Sequence, residues 1–177
     1  AGLIIPGGES TCLARLLKIF ELKEVILQHC SRGMKIWGTC AGAILLANRV
    51  VGDQPCLGLI DMEIERNSFG SQLDSFKSEA LIEAVSADLI PLTFIRAPKI
   101  LRVGSDVQVL LRMEDYIAAA ENEGILVTVF HPELTGCLAL HRYFALKCGL
   151  SPAVENASAV NRDWDNVSWM KLARIAS

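Results

Sequence analysis

Cys40 lies between Gly38 and Gly42, where an apolar strand-like segment meets an apolar helix-like segment. Residues 34–37 are typical of a buried strand, and residues 43–47 of the first turns of a helix. Flanking glycines permit a sharp turn and close packing, as in the Gly-x-Ser-x-Gly turn that exposes a serine nucleophile in α/β proteins. The pattern therefore predicts an α/β fold with Cys40 as nucleophile. A small cysteine buried in a crowded turn is the alternative.

His131 is a candidate base for that thiol. It ends a strand-like run, residues 125–130, and is followed by Pro132 and Glu133. A thiol nucleophile needs a base, and the base needs an acceptor that orients it. Residues two apart point the same way in an extended segment, so Glu133 can follow His131 to one site. With the glycine-framed cysteine, the pattern predicts a Cys-His-Glu triad; alone, His131 would be a loop histidine.

At these residues the chain resembles the class I, triad-type glutamine amidotransferases, whose nucleophile, base and orienting acid match Cys40, His131 and Glu133. Further segments are similar to the glutaminase subunits of pyridoxal 5′-phosphate synthases. These segments are residues 4–11 (IIPGGEST), 66–70 (RNSFG), 74–76 (DSF), 94–98 (FIRAP) and 131–135 (HPELT). The resemblance extends over approximately residues 2–147.

The resemblance implies a binding site for glutamine. The glutamine-binding residues of the family match Gly8, Glu9, Ser10, Arg66, Ile95 and Arg96. An arginine suits the α-carboxylate of glutamine through paired, charge-assisted hydrogen bonds. Glu9 could bind the α-ammonium group or orient its loop. The N–H of Ala41 is expected to stabilise an oxyanion, with Gly7 or Gly8 as the second donor. Without the resemblance, both arginines would be interpreted as exposed charges at strand ends.

The chemistry that these residues support is acyl transfer through a thioester of Cys40, with His131 moving the protons. The resemblance implies hydrolysis of L-glutamine to glutamate and ammonia, and passage of the ammonia to a barrel-fold synthase subunit that makes pyridoxal 5′-phosphate. It also implies low activity until that subunit is bound, and no metal or organic cofactor. Two alternatives stay open: a glutaminase of another amidotransferase pathway, and a non-catalytic relative that acts as a binding subunit.

Composition agrees with this interpretation but does not by itself distinguish it from the alternatives. The 177 residues are 51% hydrophobic and carry a formal net charge of −3, which fits one domain and gives no basic surface for nucleic acid. No apolar run reaches the about 18 residues that span a bilayer. The six cysteines show no Cys-x-x-Cys spacing and indicate reduced thiols in a cytoplasmic protein. Cys56 and Cys137 are alternative reactive thiols, although neither lies in a glycine-framed turn.

The expected fold is a three-layer α/β/α sheet of the flavodoxin-like, class I amidotransferase type. Strands are predicted at residues 3–6, 34–37, 58–66, 92–96, 107–111, 116–121 and 125–130, and helices at residues 10–31, from 43 to about 50, and 138–148. Residues 78–85 are ambiguous. Residues 116–121 are alanine-rich, but Asn122, Glu123 and Gly124 form a good hairpin turn, which favours a strand.

The chain departs from the family pattern at both ends. It opens on the Gly-Gly strand, so the first strand-helix-strand segment of the family is expected to be missing from the domain at residues 1–150. Residues 151–177 form a C-terminal extension that the family does not require. Trp164, Trp169 and Leu172 could give it an amphipathic helix that covers the exposed edge of the sheet; a poorly ordered extension is the alternative.

Overall fold

The computed structural model of the protein describes residues 1–66 and 75–152. The strands in these residues are β1 (Gly2–Ile5), β2 (Lys35–Thr39), β3 (Ala47–Val50), β4 (Ile60–Glu65), β5 (Ser75–Ala80), β6 (Ile90–Ile95), β7 (Lys99–Val103), β8 (Gln108–Arg112), β9 (Ile117–Glu121) and β10 (Ile125–Thr128). The α-helices are α1 (Ser10–Ile19), α2 (Leu22–Ser31), α3 (Ala41–Leu46) and α4 (Ala139–Lys147).

One mixed sheet of eight strands organises the fold. Its order is β1-β2-β10-β9-β7-β4-β3, and β8 pairs with β9. Strand β2 is parallel to both of its neighbours, β1 and β10. Strands β5 and β6 form a separate antiparallel pair. In the register of β2 and β10, Thr39 lies beside Thr128 at the carboxyl ends of both strands. Ligands bind at this edge in open α/β sheets.

The core encloses the two strands that lead to this edge. Trp37 of β2 is fully buried, and its Nε1 donates a hydrogen bond to Oγ1 of Thr128 over 3.2 Å. Its ring packs against Phe144 of α4 with centroids 5.6 Å apart. All four residues of β10 are buried, as expected for a strand covered on both faces. Tight packing around β2 and β10 gives the residues that follow them a rigid support.

The prediction of a strand rather than a helix at residues 116–121 is confirmed. Strand β9 pairs antiparallel with β10 through a hairpin turn. Oδ1 of Asn122 stabilises the turn by accepting the N–H groups of Gly124 and Ile125 over 3.0 and 2.8 Å. The closing helix is also confirmed, as α4.

Two predictions of local structure are wrong. The predicted helix at residues 10–31 is two helices, because Glu21 adopts a left-handed conformation with φ 55° between α1 and α2. Helix α3 ends at Leu46 rather than near residue 50, since residues 47–50 instead form β3, parallel to β4. Strand β7 was not predicted at all; it joins β4 and β9 in the main sheet.

Parts of three predicted segments fall outside the described residues. They are residues 67–70 of the 66–70 segment, residue 74 of the 74–76 segment, and residues 153–177 of the C-terminal extension. All six cysteines lie within the described part, and each is a free thiol. In the same part of the chain, no helix combines the length and the apolar character needed to cross a bilayer.

Candidate active site

Cys40 occupies a strained turn between β2 and α3. Its backbone has φ 48° and ψ −106°, a conformation that residues with a side chain rarely adopt. The N–H of Cys40 donates to the carbonyl oxygen of Thr128 over 2.8 Å, which ties the turn to the end of β10. The predicted strand-turn-helix is therefore confirmed. Strain of this kind is retained where the surrounding structure fixes it, often at functional sites.

The glycines on either side of Cys40 are required by close packing. A Cβ atom on Gly38 would lie 2.6 Å from the backbone of Gly42 and from Cδ1 of Leu46. A Cβ atom on Gly42 would lie 2.0 Å from the carbonyl oxygen of Ile5 in β1. The two glycines thus let α3 lie directly on the ends of β1 and β2, which places the helix N-terminus at Cys40.

His131 and Glu133 meet as predicted, but through a different backbone from the one expected. Residues 132–134 form a 3₁₀ turn, not an extended segment. The N–H of His131 donates to the carbonyl oxygen of Thr93 over 2.8 Å, which anchors the start of the turn. Nδ1 of His131 then donates to Oε1 of Glu133 over 2.8 Å. The tight turn, rather than the alternation of a strand, brings the carboxylate to the imidazole.

The sheet register brings His131 to Cys40. A Cβ atom on Gly7 would lie 2.3 Å from Cε1 of His131 and 3.3 Å from Cβ of Cys40, so both side chains border one small space. Burial lowers the pKa of His131, but hydrogen bonding and charge interactions with Cys40 and Glu133 outweigh burial and raise that pKa to about 9. Burial raises the pKa of Glu133, yet the hydrogen bond from His131 leaves it below its usual value. The imidazole of His131 therefore holds its proton more tightly than a free histidine does.

We expect Glu133→Gln to lower the pKa of His131 from about 9, because the amide removes the negative charge beside the ring. NMR titration of the histidine ring signals measures this shift, with the exposed His29 in the same spectrum as the control. An unchanged pKa for His131 in the variant would contradict the role of Glu133 as the charged partner of the ring.

Folding raises the pKa of His131. The contribution of this group to the stability of the fold is therefore complete below pH 6.5 and is lost as pH rises through about 9.

A cleft of about 260 Å³ opens beside Cys40 and His131. Its lining residues are Gly8, Glu9, Ser10, Cys40, Ala41, Ile44, Arg66, Ile95, Arg96, Pro98 and His131. Most of the residues predicted for the site therefore share one cleft, and the sequence pattern did not indicate Ile44 or Pro98. Gly7 and Glu133 are not among the lining residues of the cleft, but both lie next to the imidazole of His131.

Two arginines at the cleft differ in their surroundings. Nη1 of Arg66 lies 2.6 Å from Oδ2 of Asp53, and its Nη2 lies 3.5 Å from Oε1 of Glu9. Arg96 is exposed, has φ 42°, and forms no ion pair within the described residues. Asp53 was not predicted from the sequence, since a single aspartate in a polar turn gives no signal of its own.

Glu9 caps helix α1. Its carboxylate accepts the N–H of Thr11 over 3.1 Å and the N–H of Cys12 over 2.6 Å, and also accepts the hydroxyl of Thr11. The hydroxyl bond first, then the two backbone bonds, hold the pKa of Glu9 below its usual value. A charged carboxylate therefore stands at the cleft rim, beside Arg66. Among residues 1–66 and 75–152, no three His, Cys, Asp or Glu side chains gather in a way that could hold a metal ion.

Known proteins have sequences and a fold similar to those of this chain. The chain is 62% identical over 174 residues to the pyridoxal 5′-phosphate synthase subunit PdxT of Syntrophus aciditrophicus, which covers 98% of this chain and 78% of that protein. It is 49% identical over 145 residues to the PdxT subunit of Ruminiclostridium cellulolyticum, covering 81% and 77%. A crystal structure of a glutamine amidotransferase superposes with a TM-score of 0.79 at 39% identity, covering 84% of this chain and 79% of that one.

These similarities confirm the predicted α/β fold of the class I amidotransferase type. The model of the SNO glutamine amidotransferase family matches residues 1–149, which contain every residue predicted for the site. The chain therefore belongs to the SNO glutamine amidotransferase family.

Proposed function

We propose that the protein hydrolyses L-glutamine to L-glutamate and ammonia through a thioester on Cys40. One observation carries the proposal: the strained Cys40 turn opens on a cleft beside an imidazole that Glu133 holds over 2.8 Å. Side chains with these three roles form the nucleophile, base and orienting acid of acyl-transfer enzymes. Membership of a glutamine amidotransferase family supports glutamine as the donor.

In the proposed reaction, the sulfur of Cys40 attacks the side-chain amide carbon of glutamine. His131 accepts the thiol proton and then returns a proton to the nitrogen as the C–N bond breaks and ammonia leaves. Water then attacks the thioester carbon and gives a proton to His131. The C–S bond breaks, glutamate leaves, and the proton on His131 restores the thiol of Cys40. The N–H of Ala41 has no acceptor within the first turn of α3, so it is available to the oxyanion. Gly8 lines the same cleft and Gly7 does not, so the N–H of Gly8 is the proposed second donor to the oxyanion.

The cleft offers groups for each charged end of glutamine. Arg66 and Arg96 are the proposed partners of the α-carboxylate, since guanidinium and carboxylate form paired, charge-assisted hydrogen bonds. Glu9 is the proposed acceptor for the α-ammonium group, and its capping bonds fix its position for that role. Ser10 and Ile95 line the same cleft and complete the proposed binding site. The carbonyl oxygen of Ile95 lies 3.9 Å from Sγ of Cys40.

The proposed acceptor of the ammonia is a barrel-fold synthase subunit that makes pyridoxal 5′-phosphate. Both sequence relatives are pyridoxal 5′-phosphate synthase subunits, which supports a synthase partner for this chain. The six free thiols support a reducing compartment, and we propose the cytoplasm.

We expect ammonia release from L-glutamine to appear, or to rise at least tenfold, when a pyridoxal 5′-phosphate synthase subunit is added. Glutamate dehydrogenase coupled to NADH oxidation measures the ammonia, with Cys40→Ala as the blank. Activity of equal size with and without the synthase would favour a glutaminase of another pathway. No ammonia in either condition would contradict the proposal and favour a binding subunit without catalytic activity.

A further inference from the structure

Arg66 lies between two cavities. The candidate cleft adjoins a second cavity of about 270 Å³, and both are lined by Ser10, Ile44 and Arg66. Asp53 lines the second cavity and is absent from the lining of the first. Arg66 therefore borders the proposed glutamine site, and its nearer ion-pair partner, Asp53, lines the second cavity and not the cleft.

Asp53 is the closer of the two carboxylates that hold Arg66. Its Oδ2 lies 2.6 Å from Nη1, compared with 3.5 Å between Glu9 and Nη2. The carboxylate of Glu9 is also occupied by the N–H groups of Thr11 and Cys12. A long arginine side chain loses conformational freedom when it is held in one place, so a strong local anchor is needed. Asp53 is the residue placed to provide it.

The turn after β3 is built to present Asp53 in this orientation. The N–H of Asp53 donates to the carbonyl oxygen of Val50 over 3.2 Å, and Gly52 between them has φ 72°. A Cβ atom on Gly52 would meet nothing within 4 Å, so the glycine serves the backbone conformation rather than close packing. Oδ1 of Asp53 accepts the N–H of Gln54 over 2.8 Å, which leaves Oδ2 for Arg66.

We propose that Asp53 is a positioning residue for substrate: it holds Arg66 so that the remaining N–H donors of the guanidinium meet the α-carboxylate of glutamine. A guanidinium has five donors, so the hydrogen bond from Nη1 to Asp53 and the longer contact of Nη2 with Glu9 leave further donors for the α-carboxylate of glutamine. This inference rests on the proposed glutaminase function. Asp53 acts through Arg66 and does not itself contact glutamine.

The test is Asp53→Asn, assayed as the complex with the synthase subunit. We expect the KM for L-glutamine to rise about three- to fivefold, the size typical of an exposed ion pair, with kcat changed less than twofold. The same variant should leave kcat/KM unchanged for 4-aminobutanamide, which is glutamine without its α-carboxylate. Asp53→Glu should recover part of the lost affinity, because it restores the charge.

A matched control and a double variant separate positioning from general damage. Asp115 pairs with Lys99 over 2.8 Å, so Asp115→Asn removes a similar ion pair and should leave both substrates unaffected. Adding Asp53→Asn to Arg66→Ala should raise KM no further than Arg66→Ala alone. The proposal is overturned by an unchanged KM in Asp53→Asn, by equal losses with both substrates, or by additive losses in the double variant.

Calorimetric binding keeps this inference distinct from the proposed function. If the wild-type complex releases no ammonia, the hydrolase proposal fails, and L-glutamine is titrated into complexes of Cys40→Ala and Cys40→Ala/Asp53→Asn. A dissociation constant three- to fivefold higher for Cys40→Ala/Asp53→Asn than for Cys40→Ala supports the positioning role by itself. Equal binding, or no binding to either complex, overturns it.

Discussion

Cys40→Ala is expected to lower ammonia release from L-glutamine by about 10⁴-fold or more, because no other group in the cleft can form the thioester. The sulfur is fixed at the N-terminus of α3 by the strained turn and by the 2.8 Å bond from the N–H of Cys40 to Thr128. Alanine keeps the Cβ atom and removes only the nucleophile. The fold should therefore be retained, which circular dichroism checks, and binding of glutamine should persist.

The other free thiols provide matched controls. Cys56→Ala and Cys137→Ala remove the two thiols that the sequence left as alternatives, and both should keep more than half of the wild-type rate. Burial raises the pKa of Cys56, which makes it a poorer nucleophile at neutral pH. Mass spectrometry after treatment with a diazo-ketone analogue of glutamine should locate the label on Cys40. A label on either control cysteine, or substantial activity in Cys40→Ala, would remove the nucleophile from the proposed mechanism.

The central part of the site could be predicted from sequence because its signals are local. Gly38 and Gly42 indicate a turn where side chains have no room, and the packing distances give that physical reason directly. The contact between His131 and Glu133 was predicted from an extended backbone, whereas the structure has a 3₁₀ turn. The contact still forms, because the residues before and after Pro132 remain close in both conformations. Local spacing therefore predicted that these two side chains meet, but not the backbone that brings them together.

Features that depend on distant contacts were not predicted. Residues 47–50 have no helix-breaking residue, and they form β3 because β4 offers a parallel partner. Strand β7 has exposed residues at Leu101 and Arg102 and lacks a clear alternation of buried and exposed residues. It is a strand because it pairs with β4. Asp53 was missed for the same reason, since its importance comes from Arg66, thirteen residues later. Contacts of this kind are visible only once the sheet is assembled.

Gly42→Ala is expected to lower the free energy of unfolding by about 3 kcal/mol or more, the upper range for forcing an extra carbon into a packed core. The new Cβ atom would lie 2.0 Å from the carbonyl oxygen and 2.9 Å from the carbonyl carbon of Ile5. Both are backbone atoms of β1, so no side chain can rotate away. Relief requires α3 to move off the sheet, which would also displace Cys40, two residues before Gly42.

Gly124→Ala is the matched control, because its Cβ atom would meet nothing closer than 3.9 Å, at Oδ1 of Asn122. Chemical denaturation should show a normal midpoint for Gly124→Ala and a clear decrease for Gly42→Ala. The activity of Gly42→Ala, measured at a temperature where it is still folded, should fall further than its stability explains, since the helix N-terminus moves with Cys40. A Gly42→Ala protein with wild-type stability would mean that α3 does not lie against β1 as described.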